Sequence, residues 1–116
     1  MIRELFIRLL CFLFLLGSRV DFPDTPAAKR AQDYLATFNL GSDEKMRAFE
    51  SKNRAVASLA RTPMDERMHV YRDLFDRTGG FEATRIVHSS TSEIALEATE
   101  EKSGQSILLT FDVEEK

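Results

Sequence analysis

Cysteine is all but missing from this 116-residue chain: Cys11 is the only one, and it lies inside an apolar N-terminal run. A product cut after that run has no thiol to oxidise, which excludes a disulfide scaffold. Histidine is scarce as well, with His69 and His88 alone. Two histidines and no cysteine beyond the leader fall short of the four ligands of a structural zinc site, so no metal or other cofactor is expected. An excess of basic charge is also missing. Arg3, Arg8 and Arg19 against Glu4 give residues 1–20 a net +2, so with −3 overall the remainder carries −5. That acidic balance lacks the electrostatic footprint that phosphate backbones require and argues against nucleic-acid binding. Internal repeats and low-complexity tracts are absent. At 43% hydrophobic and 30% charged residues, the composition is that of a folded globular chain.

The first feature present is an address. Met1 to Val20 begins with a basic head at Arg3 and Arg8, runs through an unbroken apolar stretch from Leu9 to Leu16, and reaches the small residues Gly17 and Ser18. This order is that of a secretory signal peptide. The stretch is shorter than the roughly 20 residues that span a bilayer core. Export to a bacterial periplasm or the exterior is therefore expected, with two alternatives: an uncleaved membrane anchor, or a buried amphipathic helix of the domain itself. Membrane association is expected only through an uncleaved N-terminus. Residues 1–20 are read as leader or anchor, 21–24 as a linker, and 25–116 as one domain.

Within that domain, Thr25-Pro26 is a helix start, the threonine as N-cap and the proline in the first turn. Ala28, Ala31, Leu35 and Phe38 recur at three- and four-residue steps and mark one buried face, which Asn39 and Gly41 terminate. Ser42 caps a second helix, with Asp43 and Glu44 in its first turn. Met46, Phe49, Val56 and Leu59 lie on its apolar side, and a break near Ser51–Asn53 is left open. Thr62-Pro63 repeats the start signal for a third helix, striped by Met64, Met68, Tyr71 and Leu74 or Phe75, which Gly79-Gly80 stops. The period then changes. Phe81 to Ser89 reads as a strand. A turn at Ser89–Ser92 follows, then a strand with Ile94, Leu96 and Ala98 facing inward. A second turn at Lys102–Gln105 leads to a last strand carrying Ile107, Leu109, Phe111 and Val113 inward. About three helices followed by an antiparallel meander give an α+β fold with segregated layers. The charges of Glu114-Glu115-Lys116 blunt the end of the last strand.

The segments FPDTPAAKRAQDYLATFNLGSDEKMRAF, MDERMHVYRDLFDRTGGFEATRIVHSS and ILLTFDVEE resemble an exported bacterial domain that precedes tail-specific serine peptidases and serine-beta-lactamase-like hydrolases. The similarity runs over about residues 22–115 and is most specific at FPDTPA and at Phe38 to Asp43. The resemblance implies a cystatin-like cone, of the nuclear transport factor two-like superfamily, in which helices pack into a curved antiparallel sheet. It also implies a further strand and a catalytic domain that this sequence does not contain, so no nucleophile and no peptidase or beta-lactamase activity carry over. Three roles follow from it. One is a non-catalytic accessory module that binds a peptide or protein, or a second copy of itself, through an open sheet edge or helix–sheet groove. Another is a small-ligand-binding or isomerase-like enzyme using a cone pocket. The last is a truncated remnant of a larger hydrolase without activity of its own.

The residues themselves offer little catalytic chemistry. His69 and His88 have no visible partner, and Ser89, Ser90 and Ser92 form no recognisable motif with them. Glu97, Glu100 and Glu101 with Lys102 lack the loop spacing of a calcium site and read as a solvated hairpin tip. Met46, Met64 and Met68 are core or groove material. Pocket-lining candidates under the cone resemblance are Asp33, Tyr34, Tyr71 and His88. No catalytic, cofactor-binding or metal-ligating residue is assigned.

If the leader is cleaved after residue 20, fractionated cells will yield an exported product of 96 residues, which intact-mass spectrometry identifies directly. A full-length mass in the cytosolic fraction would eliminate the export reading.

Overall fold

The hydroxyl of Thr25 accepts a hydrogen bond from the Ala28 N–H at 3.1 Å and, with Pro26 in the first turn, starts the first helix as its sequence predicts. The computed structural model describes residues 20–54 and 56–113. The expected leader thus lies outside the described residues except for Val20, as does the charged tail at 114–116. Four helices, α1 (Pro26–Phe38), α2 (Asp43–Asn53), α3 (Val56–Arg61) and α4 (Met64–Thr78), precede three strands, β1 (Phe81–Ser89), β2 (Glu93–Glu100) and β3 (Ser106–Asp112). The fold class is the expected one: helices packed on an antiparallel meander ordered β1-β2-β3.

Helix α1 buries Ala27, Ala28, Ala31, Leu35 and Phe38. Its three alanines carry almost no side-chain volume, so the helix axis lies close against the inner sheet face formed by Ile94, Leu96 and Ala98, all fully buried. The Ala27 N–H also donates to the Thr91 carbonyl at 3.3 Å, tying the start of α1 to the β1–β2 turn. Phe38 is the hub of the core, fully buried, with ring centroids 5.1 Å from both Tyr71 and Phe81 and 5.9 Å from Phe75. Burying one such side chain contributes roughly 1.5–3 kcal/mol, before the aromatic geometry is counted.

The structure decides one helix boundary that the sequence leaves open and corrects another. The second helix breaks after Asn53 and divides into α2 and α3. At the break the Asn53 side-chain amide donates to the Phe49 carbonyl at 2.9 Å, and its own carbonyl accepts from Arg30 Nη1 at 3.2 Å. Arg54 takes an extended conformation as C-cap. The correction is at α4. Its N-cap position is Pro63, one residue later than Thr62-Pro63 suggests, and no side chain caps it. The Thr62 carbonyl is held instead by Arg67 Nε at 2.9 Å, and the same guanidinium reaches the Ser58 carbonyl at 2.8 Å. One arginine thus fastens α3 to α4.

Helix α4 ends as expected at Gly79, whose φ of 75° is the left-handed C-cap conformation. Gly80 follows at φ 110°, and a Cβ there would stand 2.7 Å from the Asn39 side-chain oxygen. This close approach has a purpose. Asn39 donates from Nδ2 to the Phe81 carbonyl at 2.8 Å and accepts the Phe81 N–H at 2.9 Å, so its amide pairs with β1 as a strand neighbour would. The end of α1 and the start of β1 are joined at this point.

In the sheet, Ala83, Ala98 and Ile107 share one inner row, and Ile86, Leu96 and Leu109 the next. Register shifts at Thr84 and Val87 put bulges into β1, whereas β3 pairs with β2 without interruption. The outer face is wet, as the alternation in the sequence predicts, and Leu108 on β3 is 64% exposed.

Replacing Phe38 with Ala is expected to remove about 3–5 kcal/mol of stability in chemical denaturation. A loss below about 1 kcal/mol would show that Phe38 is not the centre of this core.

Candidate functional site

The middle of α1 presents Arg30 and Tyr34 four residues apart, hence on one face of the helix. The C-terminal end of α2 brings Phe49, Asn53 and Arg54 to the same place, and β3 supplies Leu109 to Asp112. Together they enclose a groove of about 220 Å³ between the helical layer and β3. That is smaller than the roughly 300–1,000 Å³ of sites that swallow a drug-sized molecule, and suits a single side chain.

Tyr34 forms the groove's aromatic wall, with ring centroids 5.2 Å from Phe111, 5.7 Å from Phe49 and 5.8 Å from Phe38. Burial, reinforced by the nearby Glu50 carboxylate, pushes its pKa from 10.0 up to about 12, with Arg54 opposing the shift. At neutral pH this phenol is a hydrogen-bond donor and not a base. Behind it lies Glu50, a buried acid in the stripe of α2 that the sequence reading treats as apolar. Its carboxylate is held by Arg54 Nε at 2.6 Å and approached by Arg67 Nη1 at 3.9 Å. The carboxylate bond raises the Arg54 pKa further, so this cation is permanent. Arg30 makes no ion pair among the described residues; its hydrogen bond to Asn53 uses one of the five guanidinium N–H donors.

Of the four pocket-lining candidates, the structure brings Tyr34 to this groove and distributes the others elsewhere. Tyr71 is buried in the core, where its hydroxyl donates to the Phe38 carbonyl at 2.9 Å and burial raises its pKa. Asp33 faces solvent, one position round the helix from Tyr34. His88 sits exposed on the outer sheet face, 3.8 Å from Glu93. His69 is exposed on α4. Ser90 shapes the hairpin: its hydroxyl accepts the Glu93 N–H at 3.1 Å. Glu97 pairs across the strands with Arg85 at 3.2 Å, and Glu100 accepts from Ser103. Among the described residues no group of three or more acids, histidines or cysteines converges on a metal-sized space. No described helix is long and apolar enough to cross a membrane.

Sequence reasoning missed Arg30, Asn53 and Arg54. Arg30 is the one it had the means to find, since it stands four residues before Tyr34. Asn53 and Arg54 reach the groove only because α2 stops there. Comparison with known proteins finds no matching family model, no curated relative and no similar solved structure.

Both tyrosines of the chain hold their protons more tightly folded than unfolded. The stability that Tyr34 contributes is complete below the ordinary tyrosine pKa of 10.0 and is lost as pH rises from there towards about 12, and Tyr71 adds a loss of the same sign above 10.0. The denaturation midpoint should fall across this interval, and Tyr34→Phe should make the fall shallower. An identical alkaline profile for the variant would mean that the Tyr34 hydroxyl is freely solvated.

Proposed function

We propose that the chain is an exported, non-catalytic accessory module of the cystatin-like cone type, and that it binds a peptide or protein partner by adding a strand at β3 beside the groove. The observation that carries this reading is the backbone of β3. The Val113 N–H donates to the Ser92 carbonyl at 2.7 Å, and the Gln105 carbonyl accepts from the Glu100 N–H at 2.9 Å. Odd-numbered residues therefore turn their backbone groups towards β2. Strand alternation leaves those of Ser106, Leu108, Thr110 and Asp112 at the outer edge, where no described strand meets them. The opposite edge, β1, is interrupted by two bulges, a device that discourages pairing. An unbulged edge running along a side-chain-sized groove supplies what strand addition needs: main-chain hydrogen bonds for affinity and a pocket for specificity.

The uncovered sheet face serves this role less well. Its centre carries the Arg85–Glu97 pair and His88, so it offers no broad apolar plate. The small-ligand or isomerase-like reading would use the same groove, and the small volume weighs against it.

A photo-crosslinking amino acid at position 110 should give a discrete adduct in cells, and one at the exposed position Glu66 on α4 should not. Leu108→Pro removes an edge N–H that β2 does not use and should abolish the adduct without unfolding the chain. An adduct that survives the proline would eliminate docking at this edge.

A further inference from the structure

We infer that the segment docking on β3 is acidic: an extended peptide that places an apolar side chain in the groove and a glutamate or aspartate two residues away. This rests on the edge-docking reading and adds the chemistry of the partner.

In an added strand, residues i and i+2 face the same side, roughly 6–7 Å apart. One set of its side chains therefore points towards the helical layer. There it meets Tyr34 with Phe49 and Phe111, whose ring centroids lie 5.7 and 5.2 Å from that of Tyr34. The groove's volume of about 220 Å³ fits one apolar anchor among them. The next inward residue meets the helix walls, where the charged groups are Arg30 and Arg54.

The charge there is unbalanced in the positive sense. Glu50 is shared by Arg54 and Arg67, and Asp112 is the one acid lining the groove, so Arg30, Arg54 and Arg67 exceed the two acids by one. This surplus stands in a chain whose residues after position 20 carry −5. Most other exposed arginines are already answered by acids: Arg47 by Asp65, Arg72 by Asp43 and Asp76, Arg77 by Asp73, Arg85 by Glu97. Among the described residues Arg30 bonds the Asn53 carbonyl alone, which also sets its guanidinium at the groove wall. A fixed cation with donors to spare, beside an apolar slot and an open strand edge, is complementary to a carboxylate carried on a strand. The flat fork of the guanidinium suits that group better than a lysine would.

The test uses the full chain and the capped peptide acetyl-Thr-Val-Thr-Leu-Thr-Glu-Thr-amide, with binding followed by calorimetry or by amide shifts of β3. The peptide should bind, and changing its glutamate to glutamine should weaken binding about tenfold. Arg30→Gln should erase the difference between the two peptides, Arg30→Lys should restore part of it, and added salt should shrink it. Thr110→Pro should abolish binding of both. Equal affinity for the two peptides, still lost with Thr110→Pro, would overturn acidic recognition and leave edge docking standing. Binding indifferent to Thr110→Pro, or no binding of either peptide, would overturn edge docking itself.

Discussion

The contact on which the rest of this structure depends is the junction of Phe38 and Asn39 at the end of α1. Phe38 places one ring against α4 and β1 at once, and the Tyr71 hydroxyl bonds its carbonyl from across the core. Asn39, next in the chain, pairs with both backbone groups of Phe81. Two adjacent residues therefore fix three elements. One acts through apolar area and the other through satisfied polar groups. A domain of this size buries a modest share of its surface, so a single well-filled centre accounts for a large part of its margin.

The junction also decides what is left open. With its C-terminal end held against β1 and its alanine face against the sheet interior, α1 crosses the inner face and turns Arg30 and Tyr34 towards β3. Helix α2 stops at Asn53 and covers that side only in part. What remains is a slot walled by rings, beside the edge of β3 that no described strand meets. The groove is a consequence of where α2 ends. At that end the Asn53 side chain and Arg30 each bond a backbone carbonyl, and Arg54 turns extended.

The layered fold was legible because each element declares its period. Alanine, leucine and phenylalanine steps mark α1, alternation marks β2 and β3, and the glycine pair between α4 and β1 marks the change of period. The candidate site was legible only at Tyr34, because the groove is made by long-range pairings that have no local signature. Arg30 and Arg54 are ordinary polar residues along their own helices and become wall residues only when α2 meets α1. Glu50 shows the same limit from the other side. It occupies a core position, yet nothing local signals burial for an acid whose partners are four and seventeen residues away. The bulges of β1 likewise depend on its pairing with β2, and the shift from Thr62 to Pro63 on the guanidinium of Arg67 one turn further on.

Glu50 connects the packing of the helices to the wall of the groove. A buried carboxylate is costly unless its partners return the lost hydration, and replacing such a group with an apolar one is frequently neutral for stability. The arrangement around Glu50 gives a reason for keeping it. One partner, Arg67, is itself committed to Ser58 and Thr62 and so belongs to the α3–α4 connection. The other, Arg54, is the C-cap of α2 and a wall of the groove. Through one carboxylate, the position of a groove arginine is linked to the packing of helices that do not line the groove. An apolar residue at position 50 would fill the same space and leave Arg54 free to swing into water. On this argument the buried charge acts mainly as a positioning device: it holds a cation, already desolvated on one side, at the mouth of a slot beside an open strand edge.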